Sequence, residues 1–235
     1  MTGLRYVYAI CRPFDAALQS QLTGVGGTPP GLLRHHGLVA VVSTVPEGDF
    51  AELPLRAHLA DPDWRSATGR AHQGVIDALT TVTTPLPLRP ATVFRDDSAV
   101  RVMIEEREDD FRRTLDRLEG RVEWGVKVFL EPEPEPSDQR HEDRWRTAEE
   151  FANRLHTLLS RHAEESRLHA PQNAAPSGDP GENVLNGAYL VPRSRSEEFV
   201  ELVDRTKDEA PGMRVELTGP WAAYSFTDDL SEEER

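Results

Sequence analysis

The run Gly37–Val45, GLVAVVSTV, constrains the fold more than any other stretch of this chain. It is almost continuously apolar and rich in β-branched residues. It falls far short of the roughly 20 apolar residues that a membrane helix needs. A short apolar run without a polar alternate face reads as a strand buried on both faces. Leu4–Cys11, LRYVYAIC, reads as a companion strand of aromatic and branched residues that ends at Arg12-Pro13. Leu32–His36 offers a hairpin partner for the second strand. With 235 residues the chain holds one large domain or two small ones.

Helical signals alternate with these strands. Asp61-Pro62 pairs an N-cap residue with proline at the first helical position. Trp64, Ala67, Ala71, Val75, Ala78, Leu79 and Val82 then follow at spacings of three and four, until Pro85 and Pro87 end the helix. Leu88–Phe94 reads as a strand. Asp96-Asp97-Ser98 caps a further helix with Ile104, Phe111, Leu115 and Leu118 inside and Gly120 as its stop.

From there the pattern is strand (Val122–Leu130), helix (about Arg144 to Leu168), strand (Val184–Val191), helix and strand (Met213–Thr218), the last resuming through Ala222–Phe226. Ser194 to Glu197 offers a capping box for the second of these helices. Glu131–Pro136 is an alternating Glu-Pro segment, read as a solvated loop. Residues 169–182 read as a mobile, Pro- and Gly-rich loop. The C-terminal order matches a ferredoxin-like βαββαβ unit with one strand weak or lost within 169–182. The reading is therefore α+β in two domains: an N-terminal α+β unit over 1–120, a C-terminal modified ferredoxin-like unit over 121–227, and a disordered polar tail over 228–235.

Composition excludes several functions. The formal net charge of −14 repels phosphate backbones and anionic lipid surfaces, so neither nucleic acid nor membrane is an expected partner. Cys11 is the single cysteine, which rules out an internal disulfide and fits a reducing, cytoplasmic setting. It sits in an apolar strand, where a buried inert thiol is expected. The first residues do not read as an export signal, since Arg5 interrupts a short apolar run.

No constellation for catalysis, cofactor binding or metal binding emerges, and no enzyme is expected. His35-His36 is read as an exposed hairpin turn, because neighbouring strand side chains point apart and no Cys or acidic partner stands at a ligand-like spacing. His141 and Glu142 fall in the acidic loop, and His156 and His162 miss the i, i+4 spacing of paired ligands. His72 borders the buried stripe of its helix, either bonded to backbone or touching a partner. The acid and arginine residues between Glu105 and Arg117 form a solvated helix face. Trp124, Tyr189, Trp221 and Tyr224 flank short strands. They either pack in the core with polar tips at its edge or form an aromatic patch that accepts a hydrophobic client.

Four ordered strings carry a resemblance. Leu86–Phe94 (LPLRPATVF), Leu118–Phe129 (LEGRVEWGVKVF), Asn186–Val191 (NGAYLV) and Gly219–Phe226 (GPWAAYSF) resemble the gas vesicle protein L/F family. Pro90-Ala91 stands where the family usually has Phe-Gly, and Ala222-Ala223 where it has Pro-Pro. The resemblance implies a non-enzymatic accessory protein of gas vesicle formation, cytoplasmic and associated with the vesicle. It also implies that the partners are the small, very hydrophobic shell protein and other accessory proteins. On this reading the chain keeps shell subunits from aggregating and helps nucleate the shell, without a cofactor. Trp124, Tyr189, Trp221, Tyr224, His72 and Arg89 are the candidate partner-binding residues. Two alternatives stay open: a ligand-binding ferredoxin-like protein with His72 and Arg89 in its pocket, and a scaffold that bridges accessory proteins through acidic helices.

Overall fold

The structure, a computed structural model, describes residues 3–15, 22–133, 138–171, 181–207, 209 and 211–227. Residues 134–136 of the Glu-Pro segment, 172–180 of the second loop and the tail from 228 lie outside the described residues. The chain divides into two compact units. One runs to Glu119 and resumes at Ala222; the other is Gly120–Trp221.

The first unit is built on β1 (Leu4–Cys11), flanked by β3 (Leu38–Val45) on one side and by the short β4 (Leu86–Pro87) and β5 (Val93–Phe94) on the other. The hairpin strand β2 (Gly31–His35) continues the sheet beyond β3, all pairs being antiparallel. His36 and Gly37 join β2 to β3 with φ of +47° and +68°. Positive φ at both central residues gives a two-residue turn whose twist matches that of the strands. The strand expected over Leu88–Phe94 is instead two short pairings around a turn at Ala91, whose φ is +68°. The proline-rich string lacks the donors for a longer ladder.

Helices cover both faces of this sheet. After α1 (Glu47–Phe50) and α2 (Glu52–Leu59), α3 (Pro62–Thr80) buries His72, Val75, Ile76 and Leu79 on the side of Tyr6 and Tyr8. Its cap is the expected one: Asp61 Oδ1 accepts from the amides of Asp63 (2.9 Å) and Trp64 (3.4 Å). Arg5 leaves β1 from the opposite face and meets Asp97 at 2.5 Å, at the start of α4 (Asp97–Glu106). The single helix expected after Asp96 is broken at Arg107 (φ −121°, ψ 18°), and α5 (Glu108–Leu118) starts anew. The break gives Glu108, Asp109 and Asp110 a helix N-terminus, where free amides and the helix dipole favour carboxylates.

The second unit runs β6 (Arg121–Leu130), α6 (Asp138–Ser160), β7 (Glu165–Leu168), β8 (Glu182–Pro192), α7 (Ser196–Thr206) and β9 (Met213–Trp221). Its strands lie in the order β7-β8-β6-β9, all antiparallel. This is the ferredoxin-like arrangement with its four strands in place. The strand thought weak or lost is β7, in residues that the sequence reading gave to the end of the helix. The apolar stripe of α6 stops at Leu159, and Glu165–Leu168 become a strand because β8 offers a ladder there, an override of local propensity by tertiary pairing. The expected capping box before α7 does not form. Arg195 is the N-cap without a side-chain bond, and Ser196 Oγ instead accepts from Trp124 Nε1 at 3.3 Å.

The two helices pack on the sheet through Phe151, Ala152, Leu155, Leu159, Phe199 and Val203, which meet Trp124, Val126, Val128, Tyr189 and Val191. Ala222–Phe226 do not extend β9. They turn into a short 3-10 segment at Tyr224–Phe226, and Ala222 and Tyr224 pack with the first unit's core. Leu159→Ala should cost about 2–5 kcal/mol of unfolding free energy, since the residue is fully buried. Leu53→Ala, at a 75% exposed position, should stay within about 0.5 kcal/mol of the parent in the same urea titration.

Candidate functional site

The terminal strand β9 is the longest sheet edge among the described residues. It pairs with β6 on one side only. An edge strand presents backbone donors and acceptors that an incoming strand can use. Thr218, Pro220 and Trp221 are exposed at its end, with Trp221 38% accessible. The register between β6 and β9 shifts between Glu123 and Gly125, and Trp221 lies opposite Glu123. Gly219 has φ +128°, and a Cβ there would lie 2.9 Å from the Glu123 carbonyl oxygen and 3.0 Å from the Trp124 ring. Glycine therefore lets the strand end close over Trp124. Nearer the middle of β9, Arg214 pairs with Glu216 and lies 4.6 Å from the centre of the Phe129 ring. At the other edge of the sheet, Leu168 is exposed on β7.

The other predicted residues are dispersed. Trp124 and Tyr189 are core residues packed around Phe199. The Tyr189 hydroxyl bonds His156 Nδ1 at 3.0 Å, and burial raises its phenol well above the usual range. Tyr224 is half-buried in the first unit, 6.3 Å from the His72 ring centre. Arg89 is exposed, on the turn between β4 and β5. Of the four aromatic candidates, Trp221 alone is exposed.

His72 is not a boundary residue. It is almost fully buried, and its partner is a side chain rather than backbone: Nδ1 and the Tyr6 hydroxyl share a hydrogen bond of 3.0 Å. That hydroxyl in turn accepts from the Ala91 amide at 3.0 Å, which ties the turn carrying Arg89 to the core. His72 Nε2 has no hydrogen-bond partner among the described residues. Burial lowers the pKa of His72 to about 4, so the ring is neutral at pH 7. Next to it the Tyr8 hydroxyl donates to Ser43 Oγ (2.9 Å) and accepts from the Val25 amide (2.7 Å). The Cys11 thiol, also buried, is pushed up to about 12. An open hollow of about 360 Å³ in the first unit is lined by Arg5, Leu32, Arg34, Thr44, Asp97 and Arg101, and neither His72 nor Arg89 reaches it.

His35-His36 differs from its sequence reading in one respect. It is a hairpin turn, but the positive φ of His36 removes the strand alternation, so the two rings lie side by side with centres 4.5 Å apart. Helices α4 and α5 bring carboxylates from about seventy residues away: His35 Nε2 lies 2.5 Å from Glu105 Oε1, and His36 Nδ1 lies 2.7 Å from Glu108 Oε2. No local spacing announces this set, since it depends on how the hairpin meets the helices.

The sequence matches the family described as gas vesicle synthesis protein GvpL/GvpF over residues 4–143 and 135–228. The chain belongs to that family. This GvpL/GvpF member is 53% identical to gas vesicle protein L of Streptomyces sp. (strain CB03234), across 98% of this chain and 95% of that protein. It is 27% identical to gas vesicle protein F of the same strain, across 95% and 99%. Its fold matches the crystal structure of GvpF from Anabaena sp. PCC7120 with a TM-score of 0.74, covering 96% of this chain and 98% of that one at 16% identity. GvpF from Microcystis aeruginosa matches with a TM-score of 0.71, covering 97% and 99% at 18% identity. No helix among the described residues is long and apolar enough to cross a membrane.

The neutral His72 gives a pH signature. Its folded pKa lies below the unfolded value of roughly 6.5, so its contribution to stability is present above that pH and falls away on acidification toward pH 4. Between pH 7 and pH 5 the parent should lose about 2 kcal/mol more than His72→Gln, read as the difference in urea-unfolding free energy at the two pH values.

Proposed function

We propose that this chain, a GvpL/GvpF member with a role in gas vesicle formation, holds the small hydrophobic shell protein transiently along the β9 edge. On this reading an extended segment of the shell subunit adds to the sheet beside β9, and Trp221 gives it an apolar anchor. The observation that carries the reading is the terminal strand Met213–Trp221, which ends in a half-exposed tryptophan. A subunit built to bury large apolar surfaces in a finished wall is an aggregation hazard while free. Backbone pairing shields its strand without demanding a deep pocket, and the net charge of −14 keeps the pair dispersed. The higher identity to a gas vesicle protein L than to the F protein of the same strain supports an L-type duty.

The role assigns no chemistry to the chain. Tyr189 and Trp124 support the edge from beneath, by packing against α7, rather than by touching the client. When the shell protein is co-expressed with tag-captured chain, the parent should retain it in the soluble fraction. Trp221→Ala should reduce capture about tenfold or more, as loss of an aromatic hot-spot anchor does, while circular dichroism stays unchanged. Full capture by the folded variant would move the client away from this edge. Capture of accessory proteins alone would point to a scaffold, and thermal stabilisation by a metabolite to a ligand-binding protein.

A further inference from the structure

We propose that His35, His36 and Glu105 form a binding site for a divalent transition-metal ion of the zinc class, with Glu108 as its positioning residue. His35 ends β2, His36 is the first turn residue, and Glu105 lies in the last turn of α4. One ligand atom from each of the three lies within 4.8 Å of the others. Donors bonded to zinc at about 2.0–2.2 Å sit about 3–4 Å from one another. The distances of 2.5 Å from His35 Nε2 to Glu105 Oε1 and 4.0 Å from His36 Nε2 to the same oxygen bracket that range. Small side-chain rotations suffice to admit an ion where the hydrogen bond now lies.

A second feature separates this set from a casual ion-pair cluster. His36 directs Nε2 toward Glu105 and gives Nδ1 to Glu108. A metal-binding imidazole is oriented in this way, with its second nitrogen donating to a carboxylate. Glu108 is itself held: its other oxygen accepts from Arg112 Nε at 2.8 Å, and Arg112 Nη2 donates to the His36 carbonyl at 2.5 Å. The backbone of the turn, the ring and the carboxylate are thus tied together before any ion arrives.

Two imidazoles and one carboxylate suit zinc, cobalt, nickel or copper, and not magnesium or calcium, which take oxygen ligands. Three protein ligands leave a fourth position for water. The site is half-exposed, with side-chain accessibilities of 21% for His35, 48% for His36 and 47% for Glu105, so an ion enters without opening the fold. Bound there, it links the tip of the β2–β3 hairpin to α4, a contact that the protein otherwise makes through hydrogen bonds.

The test is a calorimetric titration of Zn²⁺ into the full, tag-free chain after chelator treatment. One ion should bind with micromolar or tighter affinity and raise Tm, while Mg²⁺ gives no saturable signal. His36→Asn keeps a residue that tolerates the left-handed turn and removes the imidazole. It, His35→Gln and Glu105→Gln should each weaken binding at least about tenfold with circular dichroism unchanged. Glu108→Gln should weaken it about 10- to 100-fold yet leave the visible spectrum of saturating Co²⁺ unchanged. Glu105→Gln, which loses a ligand, should alter that spectrum. Absence of saturable zinc binding to the parent, equal binding by Mg²⁺, or undiminished binding by the folded His35→Gln/His36→Asn double variant would each overturn the site.

Discussion

Six consecutive residues, Tyr6–Cys11, are wholly excluded from water, and the phenol groups of Tyr6 and Tyr8 must find partners inside. A buried hydroxyl without a partner costs on the order of 1–3 kcal/mol. The first unit is organised around meeting that demand. Tyr6 collects the Ala91 amide and His72, so one hydroxyl joins a turn after β4 to the middle of α3. Tyr8 collects the Val25 amide and Ser43, so the other joins the Gly-rich loop before β2 to the middle of β3. Loops that look unconstrained in sequence are pinned by two oxygen atoms of the central strand.

The second unit works under a different constraint. Its helices cover the sheet through one continuous cluster, and the strand order leaves β7 and β9 at the edges. β7 is a short edge of four residues, while β9 runs for nine. Proteins commonly blunt long edges with proline or charge, and β9 carries both: Pro220 near its end and the Arg214–Glu216 pair nearer its start. Trp221 stands just beyond these guards. Such an arrangement discourages indiscriminate pairing along the strand and leaves an apolar handle at one end.

Much of the fold was legible in sequence, because it rests on periodicity and on residues with strong local preferences. The doubly buried strands, the Asp61-Pro62 start and the Gly120 stop are of this kind. What escaped was decided by distant partners. Glu165–Leu168 joins β8 although the preceding stripe reads as helix, and α4 ends at Arg107 because a second acidic helix start is available there. The candidate residues were less legible still. An aromatic beside a short strand reads the same whether it packs on Phe199, as Tyr189 does, or faces solvent, as Trp221 does; the difference lies in which face the helices cover. Glu105 and Glu108 join His35 and His36 only through packing between elements far apart in sequence. The His36-Gly37 pair was the one available hint, since a left-handed turn residue abolishes the alternation that separates neighbouring strand side chains.

The return of the chain at Ala222 has a consequence for biosynthesis. The first unit's core includes Ala222 and packs Tyr224 against itself, and Arg117 bonds the Phe226 carbonyl at 2.7 Å. Those residues leave the ribosome after the whole of Gly120–Trp221. The first unit's core therefore cannot close until the second has been synthesised, although most of its own residues come first, a departure from strict N-terminal-first completion of domains. Because Ala222 directly follows Trp221, the last strand of the second unit and the closing segment of the first are made within a few residues of one another.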